Sequence, residues 1–181
     1  MPQVQSAKIT RQIGNILIIS SLILAGFTYF PIIKLYLQPI PNLPSNSNLT
    51  YFLTIPKIGA QAPIITDVNP WEPSEYLPAL QKGIAQAQAN PAFFFAHSSD
   101  LPWRMTRYNT AFLRLGELQK GDEIIITKDG IKYQFQVVDK IEVWPNQVQY
   151  LKENGSNQLI LMTCTPLGTS FKRLLIFAKP L

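Results

Sequence analysis

No charged side chain occurs in the 21 residues from Ile13 to Ile33, and no other stretch restricts the chain as strongly. As an α-helix such a run is about 30 Å long, the thickness of a bilayer's hydrocarbon core. It predicts one transmembrane helix over 13–33. A cleaved signal peptide would have a shorter apolar region ending at an A-x-A-like site, and none is found near Ala25. Lys8 and Arg11 precede the run with no acidic residue, and a single Lys34 follows it. That bias predicts a single-pass protein of the cell membrane, with residues 1–12 in the cytoplasm and the rest of the chain beyond the helix outside it.

The net charge of +5 raises the question of nucleic acid, which the distribution of charge answers. Setting aside the three cations that flank the helix leaves 13 basic against 11 acidic residues from Leu35 onward. That near balance argues against a nucleic-acid footprint. Residues 34–50 contain Pro39, Pro41 and Pro44 followed by Ser45-Asn46-Ser47-Asn48, a composition that resists regular structure and suits an extended linker. What remains, 51–181, is long enough for one globular domain with its own core. A single cysteine, Cys164, excludes an intrachain disulfide.

Short apolar runs dominate that domain. Tyr51 to Ile55, Pro63 to Thr66, Phe93 to Ala96, Leu159 to Met162 and Leu174 to Phe177 read as strands, bounded by polar, glycine or proline residues. Glu123 to Thr127 and Ile131 to Val138 flank Asp129-Gly130, a hairpin signal. Val138 to Trp144 either continues that strand or starts another. Helices are predicted from Leu77 to Ala89, in a short segment from Thr110, and as one turn from Gln147 to Lys152. Many short strands with few helices predict an all-β domain, either a closed barrel or a sandwich.

Cys164 falls where a predicted core strand ends, between Thr163 and Thr165, with Lys172 and Arg173 soon after. A thiol that meets solvent and positive charge together has the conditions that favour thiolate. His97, the sole histidine, ends another predicted core strand and precedes Ser98-Ser99-Asp100. Arg173 opens the last strand, and if that strand returns antiparallel beside the cysteine strand, Cys164, His97 and Arg173 converge. Taken singly, each has an ordinary structural reading: a small buried hydrophobe, a satisfied histidine, a solvated charge. Trp103, Arg104 and Arg107 form either a mobile wall or a packed loop. No carboxylate cluster has calcium-loop spacing, so no metal and no cofactor are expected.

The segment Ile160-Leu161-Met162-Thr163-Cys164, with Arg173 nine residues after the cysteine, resembles the Thr-Leu-x-Thr-Cys…Arg signature of the sortases, in a class D/E-like form. Isoleucine replaces the first threonine and still suits a core strand. Leu53 to Gly59 with Ala62-Pro63-Ile64 is similar to the opening strands of the family's barrel, and Leu80 with Gly83-Ile84 to the helix and turn that follow. Ala96-His97-Ser98 matches the family's histidine position, with alanine where glycine is common, and Gly121-Asp122-Glu123-Ile124 resembles the turn before the middle strands.

This resemblance implies a closed sortase-like β-barrel with short helices, following the N-terminal transmembrane helix. It also implies a cysteine transpeptidase. Cys164 would attack the carbonyl after the threonine of an LPxTG-like sorting signal, and an amine would resolve the thioacyl enzyme. His97 would protonate the leaving amine and Arg173 would stabilise the oxyanion. Thr163 and Thr165 are candidate substrate-binding residues. The implied partners are surface proteins bearing sorting signals, an amine acceptor such as a cell-wall precursor or a pilin lysine, and membrane lipid around the helix. An L,D-transpeptidase would have glycine before its cysteine and arginine two residues after it, whereas Thr163 and Arg173 stand here. Papain-like enzymes place cysteine before histidine, the reverse of this order. From another class, a non-catalytic membrane-anchored barrel used for binding would have no need of all three residues. If the topology is correct, protease added to spheroplasts will digest the domain after the helix; complete protection would overturn it.

Overall fold

The computed structural model describes residues 2–37, 51–147, 149 and 158–181. The helix α1 (Pro2–Leu37) contains the predicted span, and its segment Thr10–Leu37 is long and apolar enough to cross a membrane. Within its apolar stretch Ser20, Ser21 and Thr28 donate to the carbonyls of Leu17, Ile18 and Leu24. The helix continues through Lys34 to Leu37, which the sequence assigned to the linker, and residues 38–50 of that linker lie outside the described residues.

Eight strands form the second unit: β1 (Tyr51–Ile55), β2 (Ala60–Val68), β3 (Ile84–Ala87), β4 (Phe93–Phe95), β5 (Glu123–Lys128), β6 (Ile131–Val143), β7 (Leu159–Thr165) and β8 (Lys172–Pro180). They close into a barrel in the order β1-β2-β3-β4-β7-β8-β6-β5. Pairing of β1 with β5 completes the ring, so that each of these eight strands has a partner on both sides. Barrel, not sandwich, is therefore the outcome of the pattern of short strands. Asp129 and Gly130 both have positive φ, 51° and 80°, as a tight two-residue hairpin between twisted strands requires.

The alternation of side chains divides the core in two. One cluster draws members from all eight strands, including Leu53, Ile64, Ile84, Phe94, Ile124, Val137, Leu161 and Ile176, and only the barrel lumen faces every strand. Phe112, Leu115 and Leu118, all fully buried, join it. The second cluster lies on the outer face of β3, β4, β7 and β8, where Phe93, Phe95, Ile160, Leu175 and Phe177 pack with Ala79 and Leu80 of the helix α2 (Pro73–Lys82). An irregularity between Val137 and Asp139 turns β6 from one system to the other: Val137 points into the lumen, whereas Val143 belongs to the outer cluster. Val138 to Trp144 thus continues β6 through Val143 and does not start a strand.

Two predicted helices are corrected. The segment Leu77–Ala89 is not one helix: α2 begins at Pro73, where Pro73 occupies the first turn and the Glu72 carboxylate accepts the Ser74 N–H, and ends at Lys82. Ile84–Ala87 is instead a strand, parallel to β2 and antiparallel to β4. Alanine and glutamine favour helix locally, but pairing on both sides outweighs that preference, and small side chains suit a doubly covered strand. The segment after Thr110 forms turns and a short 3-10 helix at Leu115–Glu117, because the Phe112 N–H donates to the His97 carbonyl and draws the chain onto the barrel. The turn predicted at 147–152 falls mostly outside the described residues.

Gly83 joins α2 to β3 where a Cβ would collide with the Pro63 carbonyl oxygen of β2. Backbone, unlike a flexible side chain, cannot yield there. Gly83→Ala is expected to destabilise the barrel by about 2 kcal/mol, read as a lowered unfolding midpoint; an unchanged midpoint would show that β2 and β3 can separate at this point.

Candidate active site

Register brings the three sequence-predicted residues together. In β4 and β7, which run parallel, Phe93, Phe94 and Phe95 pair with Ile160, Leu161 and Met162. The ladder extends one residue further, since the Ala96 N–H donates to the Met162 carbonyl at 3.2 Å. Continued past Ala96, the same register sets His97 opposite Cys164. Across the other edge of β7, Cys164 pairs directly with Arg173 of the antiparallel β8. Residues paired across neighbouring strands project to the same face, and here that face is the outer one, since Phe95, Met162 and Leu175 two residues away belong to the outer cluster.

All three side chains line a groove of about 450 Å³. Its apolar floor includes Phe95, Met162 and Leu175, continuous with the outer core. Tyr76, Leu77 and Leu80 of α2, with Pro70-Trp71 before it, form one side, and Val143, Trp144 and Pro145 form another. His97, Cys164 and Arg173 thus add polar groups to a largely apolar groove. Sequence reasoning missed the groove walls. The one available signal was a tryptophan beside a proline, at Pro70-Trp71 and Trp144-Pro145, and it does not discriminate, because Pro102-Trp103 has the same pattern and lies outside the lining.

Thr163 borders the groove but is buried, and its hydroxyl donates to the Ala96 carbonyl at 2.8 Å. That bond crosses from β7 to β4 one residue before His97 and Cys164, so the hydroxyl pins their register. Thr165 is not among the residues that line the groove. The Arg173 guanidinium is fixed by the loop before it, Nη1 donating to the carbonyls of Ser170 at 3.0 Å and Lys172 at 3.2 Å. Lys172 turns elsewhere, pairing with Glu142 at 3.3 Å. Across the mouth of the site, the Gly168 N–H donates to Ser99 Oγ at 3.1 Å, tying the cysteine–arginine loop to the segment after the histidine.

Burial lowers the His97 pKa from its ordinary value, and the negative charge of Asp100 offsets part of that shift. Asp100 is itself held by Gln81 Nε2 at 2.9 Å, Asn109 Nδ2 at 3.1 Å and the Leu101 N–H at 2.7 Å. Neutral imidazole therefore prevails near pH 7. Among the described residues, no group of three or more His, Cys, Asp or Glu side chains could hold a metal ion.

A lowered native pKa means that the unfolded chain binds more protons between that value and about 6.5, so this contribution to stability falls as pH falls through the window. Unfolding midpoints at pH 7.5 and 5.5 are expected to differ more for the wild-type chain than for His97→Gln. Equal differences would refute the burial effect.

Comparison with known proteins follows the same geometry. The family model described as Sortase domain matches residues 53–181. Among relatives, sortase A of Bacillus anthracis is 21% identical over 127 residues, covering 68% of this chain, and sortase D of Bacillus subtilis is 27% identical over 144 residues, covering 75%. The chain spans 56% and 66% of the lengths of these two proteins. Among solved structures, a lid mutant of sortase A from Corynebacterium diphtheriae superposes with a TM-score of 0.59 at 23% identity, over 76% of this chain and 74% of the other. Sortase C2 of Group B Streptococcus Pilus Island 1 superposes with a TM-score of 0.60 at 24% identity, over 75% and 76%. The structural likenesses establish the barrel as a shared fold, and the domain match, which covers most of the chain and includes both strands of the Cys164–Arg173 pair, means that the chain belongs to the sortase family.

Proposed function

We propose that this chain is a membrane-anchored cysteine transpeptidase that cleaves a sorting signal of the LPxTG type after threonine and transfers the new carboxyl to an amine. The observation that carries the reading is that His97, just past β4, Cys164 of β7 and Arg173 of β8 line one largely apolar groove. His97, kept neutral by burial, accepts the Cys164 proton as sulfur adds to the scissile carbonyl. Charge develops on the carbonyl oxygen, and Arg173 donates to it. Its guanidinium is already oriented by two loop carbonyls, so little reorganisation accompanies the reaction. Collapse of the tetrahedral intermediate breaks the C–N bond, and the imidazolium of His97 returns the proton to the leaving amine.

The second half reverses these roles. An incoming amine loses a proton to His97 as nitrogen adds to the thioacyl carbon, and Cys164 leaves, taking that proton back. One peptide bond has been exchanged for another, with no oxidant and no cofactor. In this reading Thr163 positions the two reacting residues, and the helix α1 holds the barrel at the outer membrane surface where sorting signals and amine acceptors meet. Surface proteins with a sorting signal are the donors, and a cell-wall precursor or a pilin lysine is the acceptor.

The test uses the full chain in detergent, a panel of LPxTG-related pentapeptides and a glycine oligomer. A thioacyl adduct on Cys164 is expected by mass spectrometry, with transfer to the amine. Cys164→Ala should abolish both, and His97→Ala should slow acylation. Arg173→Lys keeps the charge but loses the planar fork, and should reduce the rate by about 10²-fold. If the folded chain is acylated by no peptide in the panel, the transpeptidase reading fails and a binding module takes its place; wild-type activity in Arg173→Lys would remove that residue from the oxyanion role.

A further inference from the structure

One wall of the groove stands on a tryptophan held in place from several directions. Trp144 directly follows Val143, which pairs with Arg173, so its ring lies one residue beyond the rung that carries the reactive groups. It lines the groove and yet remains 58% exposed. Left to itself an exposed indole would sample several rotamers or collapse onto the nearest apolar surface. Here Lys172 Nζ lies 5.5 Å from the ring centroid while also pairing with the Glu142 carboxylate at 3.3 Å. The turn beneath is closed on itself: the Trp144 N–H donates to Gln147 Oε1 at 2.7 Å, and the Gln147 N–H donates to the Trp144 carbonyl at 3.0 Å.

We propose that Trp144 is a specificity-determining residue whose ring packs against the uncharged residue of the bound peptide beside the scissile bond, with Lys172 and Glu142 as its positioning residues. The proposal rests on the transpeptidase reading and deepens it. The peptide is the fitting occupant because the floor beside Trp144 is apolar, formed by Val143 and Leu175, and because Arg173, on the rung next to it, is aimed at the reacting carbonyl in that reading. Lys172 does not add a charge requirement for the substrate, since Glu142 neutralises it. Covering the ring would also shield the thioacyl group from water on the side of Arg173, which favours transfer to an amine over hydrolysis.

The experiment uses the full chain in detergent and a fluorescent pentapeptide that acylates the wild-type protein. In a Cys164→Ala background, which blocks acylation, Trp144→Ala is expected to weaken peptide binding about tenfold by fluorescence anisotropy, with Trp144→Phe retaining most of it. Lys172→Met should weaken it about threefold and Lys172→Arg should restore it, because arginine keeps both the ring contact and the ion pair. In the active chain the same substitutions should raise KM with kcat changed less than twofold, and Trp144→Ala should raise the ratio of hydrolysis to transfer. Peptide affinity within twofold of the parent in both Trp144→Ala and Lys172→Met would overturn the proposal while leaving the transpeptidase reading intact. Failure of every peptide to acylate wild-type Cys164 would overturn both.

Discussion

The parallel pairing of β4 with β7 is the constraint on which the site depends. His97 and Cys164 are 67 residues apart in the chain, and nothing local holds them together. What aligns them is a ladder of three phenylalanines against Ile160, Leu161 and Met162, extended by the Ala96 amide and closed by the buried Thr163 hydroxyl. A slip of one residue would turn every side chain of β7 to the opposite face and send Cys164 into the lumen. Such a slip is costly, because Leu159 and Leu161 fill the lumen while Ile160 packs on the outer face. The core therefore enforces the alignment of His97 with Cys164.

The same logic explains why the groove is on the outside of the barrel. The lumen is packed with side chains from all eight strands and with Phe112, Leu115 and Leu118. The outer face of β4, β7 and β8 carries the second core cluster, which Ala79 and Leu80 of α2 join, and residues of that same face line the groove beside Tyr76, Leu77 and Leu80. Groove floor and outer core are one continuous layer: Phe95 and Leu175 belong to both. A substitution that loosens the packing of α2 would thus reshape the groove as well as weaken the fold. Electrostatics is arranged around this groove. Burial depresses the His97 pKa while the Asp100 carboxylate, fixed by Gln81 and Asn109, limits the shift.

How much was legible beforehand follows from which forces are local. The strands with strong alternation or dense apolar residues, Tyr51–Ile55, Phe93–Phe95, Glu123–Lys128 and Leu159–Thr165, were readable because their burial is written in their composition. The Asp129-Gly130 hairpin was readable because few residues tolerate positive φ. The strand Ile84–Ala87 was not, since Ala85, Gln86 and Ala87 favour helix until two neighbours pair with them. The turns after Thr110 were missed for a similar reason: the backbone bond from Phe112 to His97 is a tertiary contact.

By itself, the sequence determined that the chain carries an apolar segment long enough for a membrane, that a β-rich domain follows, and that one cysteine, one histidine and one arginine occupy strand ends in a sortase-like order. Composition, turn chemistry and residue spacing are properties of short stretches, and they survive without a fold. Only the tertiary structure decided that Cys164 and Arg173 share a rung, that Thr163 turns its hydroxyl inward to the Ala96 carbonyl, and that Trp71 and Trp144 border a groove while the lumen is full. Those facts depend on the pairing of β4 with β7 and of β7 with β8 in one register. Which side chains meet is set by pairing between segments far apart in the chain, and no single segment contains it.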